Sequence, residues 1–241
     1  MDIILVPGLW LDATSWTDVA RALEARGHRP IPLTLPGMGL PAAESALIGM
    51  ADWIDAVVVE IDRAPGPVAL VGHSGAGNVV WGAADARPQR VSRVVFVDTV
   101  PPPPGAGISE FAVVDGVIPF PGWDFFPEED VYDLDEATRA VGAALTRSVP
   151  ARVPTDPVLL SGGRHDVPVT ILMGSMGATE LEAEIDNWGS YGEEYRSIRD
   201  VTVTRIGSGH WPQFSQPDRL AELISESVSH SESAVDGDDS A

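Results

Sequence analysis

The 241 residues carry 15 basic against 36 acidic side chains, a formal net charge of −21 that argues against nucleic acid or an anionic membrane as a partner. Cysteine is absent and every basic residue is arginine, which excludes disulfides, thiolate catalysis, cysteine-ligated metals, Schiff bases, a Ser–Lys dyad and a lysine-bearing phosphate loop. With 44% hydrophobic residues, no apolar run near the roughly 18 residues of a bilayer span and no basic leader after Met1, the chain reads as one soluble α/β domain with the cytoplasm as default compartment.

In chain order, Asp2–Val6 is a short continuous apolar run closed by Pro7-Gly8, the pattern of a strand buried on both faces. After Thr14 or Ser15, either able to cap a helix, Trp16, Val19, Ala20 and Leu23 recur at helical spacing until Gly27. "RPIPLTLPG" predicts an edge strand, because its prolines cannot donate to a ladder on both sides. Ile54, Val57, Val58 and Ile61 predict the next helix, ending near Ala64-Pro65-Gly66. A strand "PVALVG", a turn at Ser74, a helix to about Arg87 and a strand over Val91–Asp98 follow. This alternation predicts a mostly parallel sheet with helices on both faces.

From Pro101 to Pro157 the alternation breaks. The segment is rich in Pro and Gly, contains Trp123, Phe125 and Phe126, and has one helical stretch around Asp135–Arg147. It reads as an insertion between two strands whose aromatics either form a satellite core or cover a substrate pocket. The pattern then resumes with a strand over Val167–Gly174, a Glu-rich helix, a strand over Val201–Gly207 and a last helix bearing Leu220, Leu223, Ile224 and Val228. Residues 230–241 hold too little apolar surface to offset ordering entropy and are expected to be disordered, leaving a single domain over 1–229.

The chemistry centres on "LVGHSGAGNVV", where Ser74 sits on a strand-to-helix turn. A serine attacks at neutral pH only if a nearby base takes its proton, and without Lys or Cys that base is a histidine. Of the five, His230 lies in the tail, His28 at a helix–strand turn, and His73 beside the serine, where adjacent side chains diverge. His165 enters a strand at its N-terminal end, the wrong edge of a parallel sheet for a ligand site. His210 remains, on a Gly-flanked loop after the last strand.

On these features the chain resembles the α/β-hydrolase family over nearly its whole length: the elbow Gly72-His73-Ser74-Gly75, the late Gly-His loop, and an insertion placed like that family's lid. The elbow departs from G-x-S-x-G at its fifth position, Ala76, which is small enough for the close approach of helix and strand. The resemblance implies a lid over about 101–157, an α/β-hydrolase fold, and an oxyanion site built from the backbone N–H groups of Leu9 and Gly75. Pro7 stands where the family usually has a histidine, which removes a loop-ordering side chain but no backbone donor. For the acid that orients His210 two positions are open. Asp98, ending its strand, matches members with an early acid, whereas Glu180 is the first carboxylate after Gly174, near the commoner position; a site without an acid is the third option.

The leading expectation is a serine hydrolase of an ester, lactone or similar small apolar acyl compound, with Ser74, His210 and Asp98 as its triad. Trp10, Trp123, Phe125, Phe126 and Trp211 are candidates for the pocket wall. The expected partner is a small-molecule substrate, with no metal, organic cofactor, nucleic acid or membrane; the oligomeric state is left open. The alternatives are a non-hydrolytic lyase, disfavoured by the lack of lysine, and a ligand-binding receptor on the same fold.

Overall fold

The computed structural model describes residues 1–235. In chain order it contains β1 (Asp2–Val6), α1 (Thr17–Glu24), β2 (Arg29–Pro32), α2 (Ala42–Ser45), α3 (Met50–Arg63), β3 (Val68–His73), α4 (Ala76–Ala86) and β4 (Val91–Val97). The insertion follows, with β5 (Val117–Ile118), α5 (Glu128–Val131), α6 (Glu136–Ala144) and β6 (Val149–Pro150). The chain closes with β7 (Val169–Met173), α7 (Ala178–Glu184), α8 (Ser190–Ser197), β8 (Val201–Arg205), α9 (Pro212–Ser215) and α10 (Pro217–Val235).

Six strands form one parallel sheet in the order β2-β1-β3-β4-β7-β8, and β5 pairs antiparallel with β6 outside it. Strand side chains alternate between two cores. Ile4, Val6, Leu70, Val94, Phe96 and Ile171 face α3 and α4, whereas Ile3, Leu5, Val71, Val95, Val97 and Leu172 face α1 and α10. This two-sided burial is why β1, β3 and β4 are near-continuous apolar runs. β2, with Pro30 and Pro32, lies at the sheet edge as its sequence predicts. Among the described residues no helix is long and apolar enough to cross a membrane.

Two expectations are corrected. The first helix is capped by Asp12 rather than Thr14 or Ser15: its carboxylate accepts the Thr14 N–H at 2.9 Å and opens a single 3₁₀ turn before α1. The last helix runs through Val235, past the expected start of disorder at residue 230, because no Gly or Pro interrupts it before Gly237. The rest of that expected tail, residues 236–241, lies outside the described residues.

A buried charge network ties the segment after the insertion to the sheet's helices. Arg164 donates to both oxygens of Glu194 at 2.8 and 2.7 Å and to Asp85 at 3.2 Å. Trp81 Nε1 also donates to Glu194, and Asp85 accepts the N–H groups of Ser161 and Gly162. Breaking a buried pair leaves uncompensated charge, so Arg164→Met is expected to cost about 3–5 kcal/mol in urea unfolding. A loss near zero would mean that the two carboxylates find other partners.

Candidate active site

The C-terminal ends of β1, β3 and β4 converge, and beside each sits a non-glycine residue in the left-handed region: Trp10 at φ 65°, Ser74 at 53° and Asp98 at 47°. Each such backbone costs about 1–2 kcal/mol and persists only where the surroundings enforce it. At Ser74 the turn between β3 and α4 does so. A Cβ on Gly72 would lie 2.6 Å from Val80 Cγ2 and 2.9 Å from the Ala76 carbonyl oxygen, so strand and helix approach closely only over glycine. Ala76, in the fifth elbow position, is fully buried in that approach.

The structure brings Ser74, His210 and Asp98 together. His210 Nε2 is 2.9 Å from Ser74 Oγ, and His210 Nδ1 is 2.5 Å from Asp98 Oδ2. Asp98 Oδ1 accepts the Gly174 N–H at 2.7 Å, and the Asp98 N–H donates to the Leu172 carbonyl at 2.7 Å. Burial opposes ionisation of Asp98, yet the hydrogen bond and charge of His210, with the Gly174 N–H, hold its carboxyl below the ordinary aspartate range. Glu180, the alternative acid, is elsewhere: it is exposed, and its carboxylate accepts the Gly177 N–H at 2.6 Å at the start of α7.

The insertion holds the histidine loop from the other side. The His210 N–H donates to the Asp130 carbonyl at 2.8 Å, and the Gly209 N–H donates to Asp133 Oδ2 at 2.8 Å. It also grips the loop after β1, where the Arg147 N–H donates to the Trp10 carbonyl at 2.7 Å and its guanidinium pairs with Asp12 at 3.3 Å. Leu9 and Gly75 are neighbours: a Cβ on Gly75 would stand 3.1 Å from Leu9 Cγ and 3.0 Å from Ile108 Cδ1, so Ile108 of the insertion roofs this point.

The aromatic candidates divide. Trp10 packs edge-on against Phe111, Phe120 and Phe126, and Phe126 against Trp211, whose ring centroid lies 4.8 Å from that of His210. Trp123 contacts Trp211 at the rim of the same cluster. Phe125 is 57% exposed, its ring meeting Phe126 and Phe111 from outside. Trp16 belongs to the core beneath α1. Among the described residues no group of three or more His, Asp or Glu side chains is placed to hold a metal ion.

Sequence reasoning passed over His73. Its side chain does diverge from Ser74, but it is 1% exposed and its Nε2–H donates to the His210 carbonyl at 2.7 Å. With Nε2 the donor, Nδ1 accepts from Gln213 Nε2 at 3.3 Å. Burial, and then the neighbouring His210, push its imidazole down to about 3. The available signal was a histidine closing a strand of otherwise apolar residues and glycine, where a buried polar group needs partners. His165 pairs with Glu194 and His28 with Ser225, both away from Ser74.

A sequence profile of the alpha/beta hydrolase family matches residues 3–223, and the chain belongs to that family. No curated protein sequence matches it. Among solved structures it is similar to an extracellular alpha/beta-hydrolase from a Paenibacillus species, described as sharing structural and functional homology with tobacco salicylic acid binding protein 2. That pair is 18% identical over 94% of this chain and 98% of the other, with a TM-score of 0.75. A methylesterase from Arabidopsis is 19% identical over 95% and 99%, with a TM-score of 0.74. Methylketone synthase I from tomato, bound to β-ketoheptanoate, is 17% identical over 95% and 98%, with a TM-score of 0.72. At these identities the likeness establishes the fold.

The buried neutral His73 has a measurable consequence. Above pH 6.5 the imidazole is neutral in both folded and unfolded chains; below it the unfolded chain takes a proton that the folded protein refuses until about pH 3. Stability is therefore lost as pH falls through that window. Urea unfolding of the wild type is expected to lose stability on acidification more steeply than that of His73→Gln. Parallel slopes would show that His73 is protonated in the folded protein.

Proposed function

We propose that the protein is a serine hydrolase of the carboxylic ester type, acting on an ester, lactone or similar small apolar acyl compound. The observation that carries this reading is the hydrogen-bonded chain from Asp98 through His210 to Ser74, with 2.5 and 2.9 Å steps. In it Ser74 Oγ attacks the acyl carbon as His210 Nε2 takes its proton. Asp98 keeps the Nδ1–H tautomer and stabilises the imidazolium. The N–H groups of Leu9 and Gly75 receive the negative charge that develops on the acyl oxygen, the latter at the N-terminus of α4. His210 then returns the proton to the leaving alcohol, and a water activated by the same imidazole releases the acid and frees Ser74.

The apolar preference rests on the wall of Trp10, Phe126 and Trp211 beside His210 and on the Ile108 roof over Gly75. A desolvated neutral acyl group suits that wall, whereas a substrate carboxylate there would lack a lysine to pair with, since the chain has none. Trp123 would rim the pocket, and Phe125 would contribute only from its outer face.

A fluorophosphonate probe followed by peptide mass spectrometry tests the reading. The adduct is expected on Ser74 and is expected to vanish in His210→Ala. Asp98→Asn, which leaves the imidazole without its orienting charge, is expected to slow turnover of an aryl ester by about four orders of magnitude. A folded protein that binds apolar ligands but is not labelled at Ser74 would favour a receptor or lyase instead.

A further inference from the structure

We infer that His73 is a positioning residue for the general base, holding the main chain of His210 in register with Ser74 while Gln213 fixes its ring from behind. This rests on reading Ser74, His210 and Asp98 as the reacting set.

The peptide groups flanking the His210 Cα are both tied. Its N–H donates to the Asp130 carbonyl at 2.8 Å, and its carbonyl accepts from His73 Nε2–H at 2.7 Å. His73 is the residue before Ser74, so one side chain of the elbow grips the residue that carries the base. The route from nucleophile backbone to base backbone is thereby one imidazole long. The Ser74–His210 distance of 2.9 Å then follows from the elbow as well as from Asp98.

The ring has no freedom to tilt. A Cβ on Gly8 would lie 2.6 Å from His73 Nδ1, so the backbone after β1 packs directly on it. Gln213, buried in α9, donates to the same nitrogen at 3.3 Å. An apolar residue at position 73 would fill this space and leave the His210 carbonyl without its donor, a loss felt fully in a buried site. With the Gln213 amide N–H facing Nδ1, the donor is the neutral Nε2–H tautomer. Displacing a reacting group by about 1 Å costs on the order of a hundredfold in rate, so a hydrogen bond to the main chain that carries the imidazole reaches the chemistry without touching substrate.

Two substitutions separate positioning from space filling. The amide nitrogen of Gln reaches as far as His Nε2 and can donate to the His210 carbonyl, whereas the shorter Asn reproduces only the Nδ1 side. With cooperative thermal unfolding as the control for folding, His73→Asn is expected to lower kcat on an aryl ester and the rate of fluorophosphonate labelling by about ten- to a hundredfold, with KM near the wild-type value. His73→Gln is expected to recover most of that loss. Equal losses in both variants, or full activity in His73→Asn, would overturn the inference. The low-field NMR resonance of the His210 Nδ1–H reads the same geometry without turnover. A shift in His73→Asn that His73→Gln restores upholds the positioning role even if the wild type hydrolyses nothing. A resonance unmoved in both variants overturns it, whatever the fate of the hydrolase reading.

Discussion

A carboxylate set at the end of a buried strand must find partners or lose its charge, and Asp98 finds them on two sides. One oxygen accepts the Gly174 N–H at the end of β7, and the other accepts the imidazole of His210. The desolvation that burial imposes is outweighed by these bonds, and the carboxyl stays below its ordinary range. The same bonds fix which way the imidazole faces, because one nitrogen bound to Asp98 leaves the other aimed at Ser74. Orientation of the imidazole is thus inherited from the sheet: β4 carries Asp98, β7 anchors it, and β3 delivers Ser74.

The insertion takes part in this arrangement as structure. Asp130 and Asp133 hold the backbone of Gly209 and His210, Arg147 holds the loop of Trp10, and Ile108 roofs Gly75. Contacts of this kind couple the position of His210 to the position of the insertion. The strained φ angles of Trp10, Ser74 and Asp98 mark the three loop ends where the sheet meets that cover.

Much of this was legible in the residues. The continuous apolar runs of β1, β3 and β4 announce strands buried on both faces, and Pro30 and Pro32 announce an edge. Ser74 and His210 stand out because a serine between glycines on a strand-to-helix turn and a histidine after the last strand share one edge of the sheet. The acid was harder. Asp98 and Glu180 are both carboxylates after a strand, and only the register that sets β4 against β7 brings the first to His210. Glu180 instead spends its charge on the Gly177 N–H. His73 was passed over because adjacency to Ser74 says where a side chain does not point; its partner is 137 residues away in the chain.

The central claim, that Ser74 is acylated in the course of turnover, is tested most directly by mixing the protein with an activated aryl ester, quenching in acid before steady state and weighing the intact chain. The expected result is a mass increase equal to the acyl group, mapped to Ser74, that decays as the acid product appears. Turnover with no acylated species at any quench time, or an adduct on another residue, would contradict it.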